Sequence, residues 1–176
     1  MTDFDSKFVP LDKQLHDRGG FDCGEPQISN FIQRLALQHT KKGLSQTFVL
    51  AAKNPAPNSK SDIIAFYSLS SSLIFNEEFK LEDAAKLPRH PIPAILIGQL
   101  GVHKEYQGNG LGSVALVTAL KNAYRISLQL GAYAVLVDCI NDSITRLYES
   151  FGFSYLDSKG GKVRMFLPMS SIKQLM

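Results

Sequence analysis

Apolar residues at Ile28, Phe31, Ile32, Leu35 and Ala36 recur with the spacing of one helix face, which predicts a helix running through to His39. Pro26 suits its first turn, and Gly43 stops it after Lys41 and Lys42. A short strand is expected over Lys7–Leu11, and longer ones over Gln46–Ala52 and Asp62–Ser70. The breaker-rich stretch Asn54–Lys60 between those two implies an antiparallel hairpin. From Leu73 to Pro93 the pattern is irregular: a short helix over Glu82–Lys86, then Pro88, Pro91 and Pro93 imposing extended or turn geometry. A mainly apolar run, Ile95–Val102, follows as the central strand. A glycine-rich polar loop then leads into a helix over Leu111–Leu130, with Leu111, Val114, Ala115, Ala119, Ile126 and Leu130 on one side and Gly131 as its stop. Next come a strand at Tyr133–Val137, a helix at Asn141–Ser150, and a hairpin of Phe153–Leu156 with Val163–Pro168 about Gly160-Gly161. The expected architecture is three-layer α/β/α, a mixed sheet flanked by helices on both faces, in one domain over residues 1–176.

Composition narrows the class. A hydrophobic content of 44%, a charged content of 20% and eleven Phe exclude wholesale disorder. No run reaches the roughly 18 uncharged apolar residues of a membrane span, and Met1–Asp5 is acidic where a signal peptide is basic, so a cytoplasmic location is expected. Cys23 and Cys139 are too few and too far apart for a disulfide framework or a zinc cluster. A net charge of +3 and a pI near 8.8 admit a nucleic-acid partner only if the basic residues gather on one face.

The loop after the central strand carries the chemistry. Gly108, Gly110 and Gly112 sit where it turns into the helix. Without side chains there, the backbone N–H groups of Gln107–Gly112 can approach an anion, which the positive end of a helix favours. A merely tight turn is the competing reading of the same glycines. The spacing is not the Rossmann pattern, and Gly112-Ser113-Val114 lacks the Gly-Lys-Ser/Thr ending of a Walker loop.

Gln107-Gly108-Asn109-Gly110-Leu111-Gly112 resembles the acyl-CoA pyrophosphate loop of the GNAT-fold N-acetyltransferases: Gln or Arg, two residues, Gly, one residue, Gly or Ala. Downstream, Asn141 followed by Leu147-Tyr148-Glu149 and Phe151-Gly152-Phe153 resembles the second signature of the family. A narrower likeness rests on Phe21-Asp22-Cys23-Gly24, Ile28–Ile32, Ala36, Lys42-Gly43, Thr47–Val49, Leu87-Pro88, Pro91-Ile92-Pro93 and Phe166-Leu167-Pro168. These are similar to the TacT-like acetyltransferase toxins of bacterial toxin–antitoxin pairs, from about Val9 to Leu175. The chain departs from the commonest form of that subgroup at Gln99 and Gly101, where Arg and Ala are more usual.

The resemblance implies the GNAT (acyl-CoA N-acyltransferase) fold and transfer of acetyl from acetyl-CoA to the α-amine of aminoacyl-tRNA, which stalls translation. It also implies a homodimer, a ribbon-helix-helix antitoxin, and operator DNA bound only jointly with that antitoxin. By the same resemblance the backbone of Leu100, Gly101 and Val102 pairs with the pantetheine arm, an N–H near Val102 meets the thioester carbonyl, and Asn141 and Ser143 lie near the thiol end. Tyr148 is the expected proton donor to the leaving thiolate, and a packing aromatic on composition alone. Asn141 also suits a helix cap.

Arg34, Lys41, Lys42, Arg89, Lys121 and Arg125 are candidates for tRNA phosphate contacts, each with an ordinary surface or capping role as the alternative. Arg89 and His90 either ride a plain crossing loop or line a substrate cleft. His103 is either a loop histidine or a cleft residue, Cys139 lacks a His-Asp partnership for a covalent route, and no metal-ligand spacing is present. Two other functions compete: a GNAT acting on a protein N-terminus or a small amine, and an acyl-CoA or antitoxin binding module without turnover.

Overall fold

The computed structural model describes residues 4, 7–53, 56–157 and 160–176. Except for Phe4, the acidic opening 1–5 lies outside the described residues, as do residues 54–55 of the expected turn. In chain order the elements are β1 (Val9–Pro10), β2 (His16–Asp17), α1 (Pro26–Asn30), a π-helical turn (Phe31–Leu35), α2 (Ala36–Lys42), β3 (Gln46–Ala51), β4 (Ser61–Ile74) and α3 (Leu81–Ala84). There follow β5 (Ile92–Val102), α4 (Leu111–Ser127), β6 (Ala134–Cys139), α5 (Asp142–Ser150), β7 (Ser154–Leu156), β8 (Val163–Pro168) and α6 (Met169–Lys173). Short 3-10 turns occupy Asn76–Glu78 and Lys104–Tyr106.

Two compact units divide the chain: Met1–Ser70 with Gln99–Ala119, and Ser71–Gly98 with Leu120–Met176. In the first, β3 pairs antiparallel with β1 and β4, as the hairpin pattern predicted, and β2 runs parallel to the start of β4. Side chains alternate from Val49 to Leu50 on β3, but a register shift opposite Leu50/Ala51 breaks the alternation on β4. Ile63 and Phe66 therefore join one apolar cluster while Ile64 and Ala65 both join the other, as a bulge requires. The first cluster also holds Phe21, Ile28, Phe31, Ile32 and Ala36; the second holds Leu50, Ala52 and Val102, with Tyr106 and Leu111 packed on it.

In the second unit β5 pairs parallel with β6 from Ala94 to Ile97, and β8 pairs antiparallel with β6 and β7. Ile74, Phe79, Ile92, Ala94, Ala134, Leu136, Leu156 and Phe166 form its core, in which Phe79 meets Phe166 edge-on at 5.2 Å. Arg164 of β8 donates through Nε to Asp138 Oδ1 of β6 at 2.8 Å, and Glu78 lies 3.5 Å away. This charge-assisted cluster carried no sequence signal, because its members are far apart in the chain.

Three expectations change. The helix predicted over Ile28–His39 is interrupted by the π-helical turn at Phe31–Leu35, which leaves Phe31, Ile32 and Ala36 buried and Leu35 37% exposed. The helix predicted to Leu130 ends at Ser127. There the Ser127 hydroxyl donates to the Tyr124 carbonyl at 2.7 Å, and the Ile126 carbonyl accepts from both Gln129 and Leu130, so the final turn closes before Gly131. Its buried stripe is Ala115, Leu116, Ala119, Leu120 and Ala123, whereas Val114 and Leu130 are exposed. The strands β4 and β5 are longer than their patterns indicated, β5 starting at Ile92 and including Pro93. Among the described residues no helix is long and apolar enough to cross a membrane.

Candidate functional site

In the first unit, β5 ends at Val102 and the 3-10 turn of Lys104–Tyr106 delivers the chain to the glycine loop and the start of α4. Gly108 and Gly110 have φ of 80° and 77°, a left-handed geometry that costs other residues about 1–2 kcal/mol. Gly112 has ordinary helical geometry, and a Cβ added at any of the three would meet nothing within 4 Å. The loop is therefore an open surface of bare backbone. At a helix start the first N–H groups lack intrahelical partners, and here the first helical bond is Val114 N–H to the Gly110 carbonyl at 3.1 Å. The N–H groups of Leu111, Gly112 and Ser113 precede that bond and supply donors for an anion.

The side chains of the loop serve its shape. Asn109 Nδ2 donates to the Tyr106 and Gln107 carbonyls at 3.2 and 3.3 Å. Gln107 Nε2 donates to the Cys23 and Val102 carbonyls at 2.8 and 2.9 Å, and Gln107 N–H donates to Lys104 O at 3.4 Å. Of the stretch Gln107–Gly112, Gln107 is thus turned inward, with its amide and its N–H both bonded within the protein. His103 is a structural residue: its Nδ1 accepts from Glu105 N–H at 3.3 Å and its ring stands edge-on to Phe21. The Lys104 ammonium, followed by the Gly24 N–H, holds the Asp22 carboxyl below its ordinary range.

Leu100, Gly101 and Val102 are buried at the end of β5. Glycine at 101 has a packing reason. A Cβ there would lie 2.9 Å from Ile28 Cγ2 and 3.0 Å from Phe66 Cε1. Gly101→Ala is expected to lower stability by about 1–3 kcal/mol, read as a fall in the urea midpoint.

In the second unit, α5 carries the other candidate residues. Asn141 Oδ1 accepts from Ile144 N–H at 2.9 Å, so the expected cap is present, and Ser143 is exposed in the first turn beside it. Tyr148 is 4% exposed, with its ring tilted against Phe153 at 5.3 Å. Burial, then the charges of Cys139 and Asp138, push the Tyr148 phenol far above its ordinary value. Burial likewise pushes up the Cys139 thiol. The proximity of Cys139 to Tyr148 could not be read from their spacing.

The basic candidates divide between the units. Arg34, Lys41 and Lys42 are exposed along the stretch from α1 to α2, where Lys41 and Lys42 also occupy the last turn before the left-handed Gly43. Lys121 and Arg125 lie one turn apart on α4, and Arg89 is exposed in a bend ahead of β5. Among the described residues no group of three or more His, Cys, Asp and Glu side chains is arranged to hold a metal.

The profile of the acetyltransferase (GNAT) family matches residues 79–153, which contain the glycine loop and α5. A probable toxin TacT of Sinorhizobium fredii (strain NBRC 101917 / NGR234) is 31% identical over 175 residues, covering 95% of this chain and 93% of its own. A tRNA-acetylating toxin of Mycobacterium tuberculosis (strain ATCC 25618 / H37Rv) is 28% identical over 137 residues, 78% of each chain. Among solved structures, AtaT complexed with acetyl-methionyl-tRNAfMet superposes with a TM-score of 0.84 at 23% identity, covering 96% of this chain and 98% of that one. The chain therefore belongs to the GNAT acetyltransferase family, with its mixed sheet flanked by helices, and closely matches the TacT- and AtaT-like toxins of toxin–antitoxin systems.

Proposed function

We propose that this protein transfers the acetyl group of acetyl-CoA to the α-amine of aminoacyl-tRNA and so blocks translation. The observation that carries this reading is the open glycine loop at the start of α4, bare backbone suited to a pyrophosphate, in a chain of this family. The relative that acetylates tRNA and the acetyl-methionyl-tRNA complex of AtaT support the acceptor.

Acetyl-CoA supplies a thioester whose acetyl carbon an amine can attack. The N–H groups of Leu111, Gly112 and Ser113 hold the pyrophosphate, with Gly108 and Gly110 leaving the approach clear. The backbone of Leu100–Val102 pairs with the pantetheine arm, and an N–H near Val102 steadies the carbonyl oxygen as charge develops. Asn141 and Ser143 orient the thiol end, and Tyr148 gives its proton to the departing sulfur. No side chain is required as a base. An α-amine with a reference pKa of about 7.7–8.0 needs only about 1 kcal/mol to be neutral at pH 7, whereas a lysine near 10.4 needs about 4–5 kcal/mol. Esterification lowers the amine pKa further by electron withdrawal, so a site of this chemistry prefers an aminoacyl ester to a lysine.

The exposed Arg34, Lys41 and Lys42 bind acceptor phosphates, as do Arg89, Lys121 and Arg125. The double variant Lys41→Ala/Lys42→Ala is expected to raise KM for charged tRNA and to flatten the slope of log affinity against log salt by about 1–2, leaving acetyl-CoA binding unchanged. A homodimer, a ribbon-helix-helix antitoxin, and operator DNA held jointly with it complete the proposal. The deciding experiment incubates the protein with labelled acetyl-CoA, total charged tRNA and a peptide carrying a free N-terminus. Label on aminoacyl-tRNA is expected; label on the peptide alone, or on neither, overturns the acceptor assignment.

A further inference from the structure

The Gly20–Gly24 turn is about eighty residues from the glycine loop in sequence, yet it is joined at several points to the turn that precedes it, within the first unit. Lys104 N–H donates to the Asp22 carbonyl at 2.8 Å, and the Lys104 ammonium donates to Asp22 Oδ2 at 2.8 Å. Asp22 Oδ1 accepts from Gly24 N–H at 2.9 Å, which closes the turn on itself. His103 Nε2 lies 3.3 Å from the Gly20 carbonyl, and its ring packs edge-on against Phe21 at 5.8 Å. Cys23 is fixed in turn, its N–H donating to the buried Ser29 hydroxyl at 3.1 Å.

Gln107 completes the joint. Its two partners are both carbonyl oxygens, Cys23 at 2.8 Å and Val102 at 2.9 Å, so the end of the amide facing them is the NH2 group, and both its hydrogens are used. That nitrogen has no donor left for a ligand. The bonds made by Asn109 are local, two and three residues back, and shape the loop without fastening it to the body of the unit. A glycine-rich segment loses more conformational entropy on ordering than any other, so an anion bound there benefits from a loop already held in place.

We propose that Gln107 and Asp22 are positioning residues for acyl-CoA: they clamp the 3-10 turn and the root of the glycine loop onto the Phe21–Gly24 turn, and so fix the amides that meet the pyrophosphate. The proposal rests on the acetyl-CoA reading above. It also gives the distinctive Phe21-Asp22-Cys23-Gly24 sequence a task in cofactor binding. The Asp22–Lys104 pair is about half exposed, and pairs of that kind contribute little to global stability, so the clamp can be released without unfolding the chain.

The test is calorimetry with acetyl-CoA on the full chain, steady-state kinetics with charged tRNA, and a thermal melt of each variant. Gln107→Met keeps length and neutrality but has no donor; Asp22→Ala removes the ion pair and the turn closure. Each is expected to raise the acetyl-CoA Kd about tenfold, equivalent to about 1.4 kcal/mol, with kcat at saturating acetyl-CoA and KM for the acceptor unchanged. Removing the negative charge of Asp22 would by simple electrostatics tighten the binding of an anion, so weaker binding in Asp22→Ala points to lost geometry. Asp22→Asn, which keeps an acceptor for Gly24 N–H and weakens the tie to Lys104, stands in if the alanine variant melts early, and a smaller loss of affinity in the same direction is expected. Unchanged Kd in the Asp22 variants overturns the clamp, including the case in which Gln107→Met alone weakens binding and assigns that side chain to direct contact. Absence of binding by the unaltered protein overturns the acetyl-CoA reading itself.

Discussion

Tyr148→Phe is expected to lower kcat for acetyl transfer by about 100-fold or more, with the acetyl-CoA Kd and the melting temperature near their original values. The ring is almost wholly buried against Phe153, and phenylalanine fills the same volume, so removal of one hydroxyl leaves that packing intact. The Tyr148 carbonyl accepts from the N–H groups of Phe151 and Phe153, and these bonds at the end of α5 do not depend on the side chain. On the proposed mechanism, the variant loses the proton given to the sulfur as the carbon–sulfur bond breaks. Burial raises the phenol pKa, so Tyr148 remains protonated beyond the ordinary tyrosine range. The sign of the pH dependence follows. The rate rises as the acceptor amine loses its proton, and no fall from ionisation of Tyr148 is expected below about pH 10. A variant with unchanged kcat would remove Tyr148 from the acid role, whereas an alkaline fall near neutrality that vanishes in Tyr148→Phe would keep the role and overturn the raised phenol pKa. Growth arrest on expression gives an independent readout, expected for the unaltered chain and lost in the variant.

Gly110→Val is expected to weaken acetyl-CoA binding roughly 100-fold, whereas Gly112→Ala leaves binding within a few-fold and raises stability by up to about 1 kcal/mol. Both positions have open space around an added Cβ, so a clash inside the protein does not distinguish them. Backbone geometry does. Gly110 has φ of 77°, which a β-branched residue adopts only under strain, so valine is expected to distort the loop whose N–H groups meet the anion on the proposed reading. Gly112 lies in the first turn of α4 with helical geometry, where alanine is the better helix former. Calorimetry with acetyl-CoA and a urea melt on each variant read the two effects separately. Equal loss of binding in both would mean that the anion approaches over Gly112 as well. Retained binding in Gly110→Val would remove the pyrophosphate from this loop.

Much of the candidate site was legible in advance because it is local in sequence. The strand, glycine loop and helix starting at Leu111 occupy one continuous stretch, and the positive φ at Gly108 and Gly110 is what glycine at those places allows. The Asn141 cap and the burial of Tyr148 on α5 follow from a short segment in the same way. Pattern misled where it had to rank apolar residues of similar character. Val114 and Leu116 are both apolar and close in sequence, yet only Leu116 is buried. The same limit applied at the end of α4, where hydrogen bonds from Ser127 and to Ile126, with no glycine involved, closed the helix early.

The sequence by itself determined the order of the longer strands and helices, though not β2, the π-helical turn or α6, together with the open glycine loop, the cap and tyrosine of α5, and membership of the acetyltransferase family, since each is written in residues a few positions apart. Only the tertiary structure decided that Gln107 points inward to two carbonyls, that Asp22 is tied to Lys104, that Gly101 leaves room for Ile28 and Phe66, and that Arg164 binds Asp138. These contacts join segments from 26 to more than 80 residues apart, apart from the short Gln107 bond to Val102. Partners that distant meet only when chain folding brings them within hydrogen-bond or van der Waals range, and no local propensity encodes that meeting.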